Sequence, residues 1–128
     1  TYWLLAPLKA FDPGVRRTYA ADSSGTDAEV VSLAFEDVGL TPGDRYWLYA
    51  DPATGRMTRW AYRLQGFEPT TPTSFHTWDD YAPYEAPAGT VYLAARKRGA
   101  GGGTVYTDQI ALPADVPADL FTDPNPRL

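Results

Sequence analysis

The chain has 128 residues, no cysteine and a formal net charge of −5 at pH 7. This length fits one domain over residues 1–128 and is enough to bury a core without disulfides. The absence of thiols excludes disulfide and thiolate chemistry, and the negative charge argues against general nucleic-acid binding. No run of about 18 apolar residues occurs, so the sequence predicts no transmembrane segment.

Short stretches with apolar residues at every second position recur along the chain, separated by Pro, Gly and Asp, as is typical of antiparallel strands. The predicted strands are 2–5, 15–20, 28–35, 45–50, 56–64, 74–78, 90–97 and 104–112. Single helical turns are predicted at 7–11 and 118–121. The predicted fold is therefore all-β: a curved antiparallel meander of about eight strands, an incomplete barrel with short helical turns near both ends.

The stretch 45–62 is the clearest hairpin, because two aromatic runs flank a turn that contains Pro52 and Gly55. A four-residue loop at 52–55 pairs Asp51 with Arg56. Counting back along both strands then gives the predicted cross-strand pairs, which include Trp47 with Trp60, Tyr49 with Thr58, Arg45 with Tyr62 and Ala50 with Met57. This register predicts that one face of the hairpin is aromatic.

An aromatic face of this size suits a protein core, a ligand-binding groove or a protein interface. Tryptophan in a domain of this length is most often part of the core. If the face lines a groove, its indole and phenol groups offer apolar area together with hydrogen-bond donors for a lipid headgroup. The candidate ligand-binding residues are Trp47, Tyr49, Trp60, Tyr62, Leu64 and Trp78.

Catalytic chemistry has little support in the sequence. His76 is the only histidine, and Ser74, on the same predicted strand, lies about 7 Å from it between Cα atoms, which is too far for a direct nucleophile–base hydrogen bond in most rotamers. We interpret His76 as a polar residue at a sheet margin. The sequence predicts no catalytic residue, no enzyme activity and no cofactor.

Acidic residues in the second half of the chain are candidate metal ligands. Asp79, Asp80 and Glu85 supply the oxygen donors that calcium prefers, but their spacing lacks the alternation of a calcium-binding loop. A solvated acidic turn is the favoured interpretation, and no metal site is predicted.

Several segments carry a resemblance to a known family: WLLAPLKAFDPG at 3–14, LAFEDVGLTPGD at 33–44, the hairpin at 45–62, and the stretch from 112–113 through LFTDP at 120–124. They resemble the C-terminal half of an uncharacterised bacterial envelope protein family, which is similar to lipoprotein carriers of the LolA/LolB type. The resemblance implies a half-barrel in the periplasm or outer envelope of a bacterium, with apolar matter on its concave side. It also implies that an N-terminal segment of the family fold precedes Thr1.

Two functions remain open. The first is a non-enzymatic periplasmic or envelope domain that binds a lipid or other apolar ligand on the concave sheet face. The alternative is a structural or accessory subunit that docks on a larger membrane protein complex from the periplasmic side, through candidate interface residues Tyr81, Pro83 and Tyr84 of the proline-rich stretch 81–87. A ligand-sized apolar cavity favours the first function, and a closed core with unpaired strand edges favours the second.

Overall fold

The computed structural model describes residues 2–35 and 41–118. Its elements, in chain order, are helix α1 (Tyr2–Lys9), strand β1 (Val15–Tyr19), a 3₁₀ turn (Ala21–Ser23), and strands β2 (Glu29–Phe35), β3 (Arg45–Ala50), β4 (Met57–Arg63), β5 (Ser74–Ala86), β6 (Gly89–Gly99) and β7 (Thr104–Tyr106). The helical turn predicted at 118–121 lies, apart from Ala118, outside the described residues.

All seven strands form one antiparallel sheet in the order in which they occur in the chain. The sheet is open, because within the described residues β1 pairs only with β2 and β7 only with β6. The prediction of an all-β antiparallel meander that does not close into a barrel is therefore confirmed. Each strand returns beside the one before it, so the contacts that build the sheet are mostly between neighbours in sequence.

The prediction of a first strand at 2–5 is wrong, because this segment is the start of α1. A short apolar run has no period that separates a strand from a buried helix, and tertiary packing decides. Here Ala6 is buried in the core cluster and Trp3 packs against that cluster, which a helix lying on the sheet allows. The helix continues through Pro7 to Lys9, whose Nζ donates to the Asp12 carboxylate at 2.8 Å.

The lengths of two predicted strands also need correction. Strand β5 runs to Ala86 rather than to 78 and contains Pro83. Strand β4 pairs only with residues 74–77 of β5, so the rest of β5 has one free edge, where proline is tolerated. Strand β7 ends at Tyr106 rather than at 112. Gln109 adopts a φ of 51°, a left-handed conformation that an extended strand does not contain.

The register of the β3–β4 hairpin differs from the prediction by one residue over most of its length. The turn forms as predicted, since the Asp51 amide donates to the Arg56 carbonyl at 2.8 Å and Ala50 lies opposite Met57. A bulge between Tyr49 and Ala50 then shifts the pairing. An extra residue in one strand moves every later side chain to a new partner. The observed pairs are Leu48 with Trp60, Trp47 with Ala61, Tyr46 with Tyr62 and Arg45 with Arg63.

Helix α1 covers one face of the sheet, and the core lies between them. The buried core cluster consists of Ala6, Met57, Trp60, Trp78 and Ala94, with Trp3, Tyr46, Leu48, Tyr62 and Tyr81 packed around it. At about 25 cal/mol per Å² of apolar area, burial of the two indoles is the largest hydrophobic contribution in this cluster. The α1 face is therefore the inner face of the sheet, and we call the opposite side the outer face.

Candidate functional site

The tryptophans predicted to line a groove on the inner face are packed by the protein's own side chains. The Trp60 ring lies 5.2 Å from the Trp3 ring in an edge-to-face arrangement, 5.4 Å from Tyr46 and 6.3 Å from Trp78, measured between centroids. Such edge-to-face and tilted pairs are favourable geometries for aromatic rings. Trp60 is 6% exposed and Trp78 3%. These two residues are therefore core rather than the open wall of a groove.

The bulge places two of the other predicted ligand-binding residues away from this cluster. Trp47 and Tyr49 lie on the outer face, because their cross-strand partners are Ala61 and Arg59 rather than Trp60 and Thr58. Tyr62 packs against the core cluster, and Leu64 lies in the β4–β5 loop, exposed. The structure therefore does not bring the six candidate residues together into one groove.

Arginines cover the aromatic rings of the outer face. The Arg59 guanidinium lies 3.7 Å from the centroid of the Tyr49 ring and 5.6 Å from that of Phe75. The Arg63 guanidinium lies 5.7 Å from the centroid of Trp47. Cation–π contacts of this kind hold a guanidinium flat on a ring and leave its N–H edge available. The outer face is thus cationic and aromatic rather than an open apolar groove.

An apolar cavity, partly open to solvent, lies at the end of α1. Its volume is about 260 Å³, and we call it the α1 cavity. Its lining comes from the end of α1 and the following turn, from strands β1 to β4, and from the β3–β4 turn: Pro7, Ala10, Phe11, Arg17, Val31, Leu48, Ala50, Gly55 and Met57. The strand register accounts for the apolar wall of the cavity. Val31 of β2 pairs with Leu48 of β3, and Ala50 of β3 pairs with Met57 of β4, so these four side chains share the inner face. Apolar walls with one polar group are the usual composition of a small-molecule site.

Arg17 is the polar group of the α1 cavity. Its Nη1 donates to the carbonyl oxygen of Ala10 at 2.8 Å, and its guanidinium lies 4.9 Å from the centroid of the Phe11 ring. Phe11 is itself 76% exposed. No carboxylate pairs with Arg17 among the residues that the structure describes. The cavity therefore combines an apolar interior with a cation that is available to an anionic group.

The sequence contained part of this site. The predicted turn places Ala50 opposite Met57, as observed, and within the predicted strand 28–35 the period of two puts Val31 and Leu33 on one face, where they pair with Leu48 and Tyr46. The contributions of Phe11 and Arg17 could not be recognised, because they depend on how the turn after α1 folds back on the sheet. The DPG sequence at 12–14 marks that turn but does not give its direction.

His76 lies on β5 between aromatic rings. Its imidazole stacks on Tyr62 with 6.1 Å between centroids and 14° between planes, and it lies edge-to-face with Trp3 at 4.6 Å between centroids. Its Nδ1 is buried without a hydrogen-bond partner, and burial lowers the pKa of the imidazole below 6.5. A general base needs a nucleophile within hydrogen-bond reach, and no such contact to His76 is present in the described part of the chain.

Lys97 is the feature that the sequence did not indicate. It is fully buried on β6, and its Nζ donates to the Ala94 carbonyl at 2.6 Å and to Thr107 Oγ1 at 3.3 Å. Burial lowers the pKa of its ammonium group. Lysine is almost never fully buried without a carboxylate partner, and within 2–35 and 41–118 no ion pair to Lys97 forms.

The acidic residues considered as calcium ligands are engaged elsewhere. The Asp79 carboxylate forms ion pairs with Arg96 and Arg98, and these cations together hold its pKa below the usual value despite desolvation, which acts in the opposite direction. Glu85 accepts a hydrogen bond from Thr90 at 3.1 Å. Residues 2–35 and 41–118 contain no cluster of three His, Cys, Asp or Glu side chains that could hold a metal ion.

The predicted interface residues lie in β5. Tyr81 is part of the core packing: its hydroxyl donates to the Met57 carbonyl at 2.6 Å, and burial raises its pKa to about 12. Pro83 is exposed and Tyr84 is half-buried, near the end of the β5–β6 hairpin. Of the three candidate interface residues, only Pro83 and Tyr84 are placed where a partner could contact them.

Comparisons with protein-family models, with curated proteins and with solved structures found no match to this chain. The resemblance to envelope proteins thus rests on the sequence segments alone. No helix within the described ranges is long and apolar enough to cross a membrane.

Proposed function

We propose that this domain binds a lipid or another apolar ligand in the α1 cavity, without acting on it chemically. The observation that carries the proposal is the cavity itself: about 260 Å³ of space with apolar walls and one arginine. An apolar cavity of about 150 Å³ holds benzene. The α1 cavity is large enough for a longer hydrocarbon segment, such as the end of an acyl chain.

Arg17 indicates the chemistry of the ligand's polar end. A cation beside an apolar interior fits an amphipathic anion, whose tail enters the cavity and whose carboxylate or phosphate pairs with the guanidinium. Phe11, stacked against the same guanidinium, adds apolar area at the entrance. The resemblance to envelope proteins is in keeping with a lipid as the ligand, and would locate the binding in the bacterial periplasm or outer envelope.

Isothermal titration calorimetry with dodecanoate tests the proposal. Ala50→Leu places a larger side chain in the cavity and is expected to weaken binding about tenfold or more. Ala82→Leu makes the same change on β5, away from the cavity lining, and is the matched control. Equal affinities of the wild type and Ala50→Leu would show that dodecanoate binds elsewhere.

The polar end is tested separately with Arg17→Gln. This substitution is expected to weaken the binding of dodecanoate and to leave the binding of 1-dodecanol unchanged, because only the carboxylate needs a cation. A loss of both ligands would instead show that Arg17 acts by holding the turn through its bond to the Ala10 carbonyl.

A second candidate function, docking on a larger membrane protein complex from the periplasmic side, is favoured by strand β1. Four of its five residues are exposed, and in the described structure only one of its edges is paired. An exposed edge can accept a further strand from a partner. Native mass spectrometry of the protein purified gently from its source distinguishes the two functions: a lipid-mass adduct supports ligand binding, and a stoichiometric complex with other polypeptides supports docking.

A further inference from the structure

We propose that one end of the sheet is a docking surface for an anionic phospholipid bilayer. The surface, which we call the β3–β4 end patch, consists of Arg45 at the start of β3, Arg63 at the end of β4, and Leu64 and Phe67 in the loop that follows. None of these residues lines the α1 cavity. The proposal is therefore independent of the function proposed above.

The first observation is a pair of like charges that face each other. Arg45 and Arg63 are cross-strand partners in the β3–β4 register. Like charges directly opposite each other destabilise a sheet, so the pair needs a counter-charge or a functional reason. Both side chains also line one open cavity of about 390 Å³, together with Leu64, Gly66, Phe67 and Pro69.

The second observation is that these guanidiniums keep their capacity for anions. Arg45 Nη1 donates to the Asp44 carbonyl at 3.0 Å, and Arg63 Nε donates to the Thr71 carbonyl at 3.1 Å. These backbone contacts orient the guanidiniums without neutralising them. Neither arginine forms an ion pair with a carboxylate in the described ranges, and the remaining N–H groups of each can bind phosphate oxygens.

The carboxylate of Asp44, next to Arg45 in sequence, is directed away from the patch. Its Oδ1 accepts the Gln65 amide at 2.8 Å, and its Oδ2 accepts the hydroxyls of Thr41 at 2.8 Å and Tyr46 at 2.9 Å. Asp44 is buried. Its role is to tie the start of β3 to the β4–β5 loop, which holds the patch in place.

The third observation selects a lipid surface over a free anion. Leu64 is 44% exposed and Phe67 59%, and both lie beside the arginines in the same cavity lining. A free phosphate would use the cations and leave these side chains in water. A phospholipid bilayer satisfies both, because its phosphates pair with arginine while apolar and aromatic side chains enter the interfacial region.

The net charge of the whole protein does not produce this attraction, because it is −5. Charges act on a membrane within about one Debye length, roughly 8 Å at physiological ionic strength. The interaction is therefore decided locally, by the two arginines of the patch against the exposed Glu68 of the same loop, and the orientation of the domain on the membrane follows from where the arginines lie. We therefore expect membrane binding to respond to single substitutions in the patch and much less to charge changes elsewhere on the protein.

Flotation of the full chain with vesicles tests the proposal. Vesicles of phosphatidylcholine and phosphatidylglycerol in equal parts are expected to bind the protein, and vesicles of phosphatidylcholine alone to bind it much more weakly. Arg45→Gln and Arg63→Gln are each expected to lower the partition coefficient about fivefold. Arg98→Gln, which removes the same charge from an exposed arginine paired with Asp79, is the matched control and is expected to lower it much less.

Phe67→Ser tests the apolar half of the patch and does not depend on the arginines. It is expected to lower the partition coefficient by about tenfold, since the ring no longer enters the interface. Tyr106→Ser, which removes a somewhat more exposed aromatic side chain from β7, is its control. Near-ultraviolet circular dichroism confirms that each variant remains folded.

Three results would overturn the proposal. The first is an equal loss of binding in Arg98→Gln and Arg63→Gln, which would indicate diffuse electrostatics. The second is a Phe67→Ser variant that binds as the wild type does. The third is a protein that binds inorganic phosphate saturably in a calorimetric titration but associates with neither kind of vesicle. This result would make the patch a site for a free anion.

Discussion

The Nζ of Lys97 lies 5.0 Å from the centroid of the Trp78 ring, directly across the β5–β6 pair. The indole is the only described charge-stabilising group near this ammonium apart from the Ala94 carbonyl and the Thr107 hydroxyl. A cation–π contact in a desolvated site contributes about 2 kcal/mol, whereas removing an ammonium from water costs several kcal/mol. No carboxylate neutralises Lys97 within the described ranges, and we therefore expect its charged form to destabilise the fold.

Lys97→Met is therefore expected to raise the free energy of unfolding at neutral pH by about 1 kcal/mol, because the methionine keeps the apolar stem without the charge. The pH dependence has a defined sign. Burial lowers the folded-state pKa below 10.5, so at this group the unfolded chain binds more protons between the two values, and the contribution of Lys97 to stability rises with pH across that window. Lys97→Met should abolish this rise.

Urea unfolding followed by tryptophan fluorescence at several alkaline pH values measures both effects. Lys9→Met is the control, since Lys9 is partly exposed and paired with Asp12, and its profile should keep the wild-type rise. A Lys97→Met variant that is less stable than the wild type at neutral pH would show that the indole and the two hydrogen bonds outweigh the desolvation cost.

Sequence patterns predicted most of the sheet but not its details. Alternation and turn residues gave the meander and the Ala50–Met57 pair. They did not give the bulge beside Ala50, because one extra residue changes the register without changing the composition of the strand. Helix α1 was missed because its apolar run is short. Lys97 was unpredictable in principle, since residue type indicates the surface and only the packing of β5, β6 and β7 around it makes it buried.

The candidate sites were harder to predict than the fold. Both cavities form where a loop or turn packs against strand residues, and the direction of a loop is not contained in the local pattern. Phe11 and Arg17 meet because the turn after α1 reverses the chain. Arg45 and Arg63 meet because the bulge sets the register, and the predicted register placed Tyr62 opposite Arg45 instead.

Trp60 and Trp47 lie on the same hairpin, but Trp60 is in the core and Trp47 is on the outer face. Trp60→Ala is expected to lower the free energy of unfolding by about 3 to 5 kcal/mol, because it leaves a cavity among Trp3, Tyr46 and Trp78. Trp47→Ala is expected to cost about 1 to 2 kcal/mol, since this ring is only partly buried and makes a cation–π contact with Arg63. Chemical denaturation measures both. Equal costs would place the two indoles in equivalent environments and contradict the observed register.

His76 should make the fold sensitive to mild acid. Its pKa is lowered by burial below 6.5, so the unfolded chain binds more protons than the folded one as the pH falls from 6.5 towards the folded-state pKa. The free energy of unfolding is expected to decrease through that window and then to become insensitive to this group. His76→Phe keeps a ring beside Tyr62 and Trp3 but cannot titrate, so its stability should fall less over the same range. Identical slopes for the two proteins would show that other groups cause the acid sensitivity.

Gly99 explains how the His76 ring fits against the sheet. The two residues are cross-strand partners, and a Cβ on Gly99 would lie 2.9 Å from Nε2 of His76. Gly99→Ala is therefore expected to lower the free energy of unfolding by about 1 to 3 kcal/mol, because the imidazole must leave its place beside Tyr62. Gly101→Ala, in the loop after β6 where an added Cβ has no neighbour within 4 Å, is the control and should be neutral or slightly stabilising.

A double-mutant cycle identifies the cause of the Gly99 effect. In a His76→Ala background the alanine at 99 has no ring to displace, so the cost of Gly99→Ala should fall to that of an ordinary strand substitution. The coupling free energy between the two positions is expected to be about 1 kcal/mol or more. A Gly99→Ala cost that is the same in both backgrounds would assign the strain to the nearby carbonyl of Gly103, 3.4 Å from the added Cβ, and would leave the position of His76 to the rings of Tyr62 and Trp3 alone.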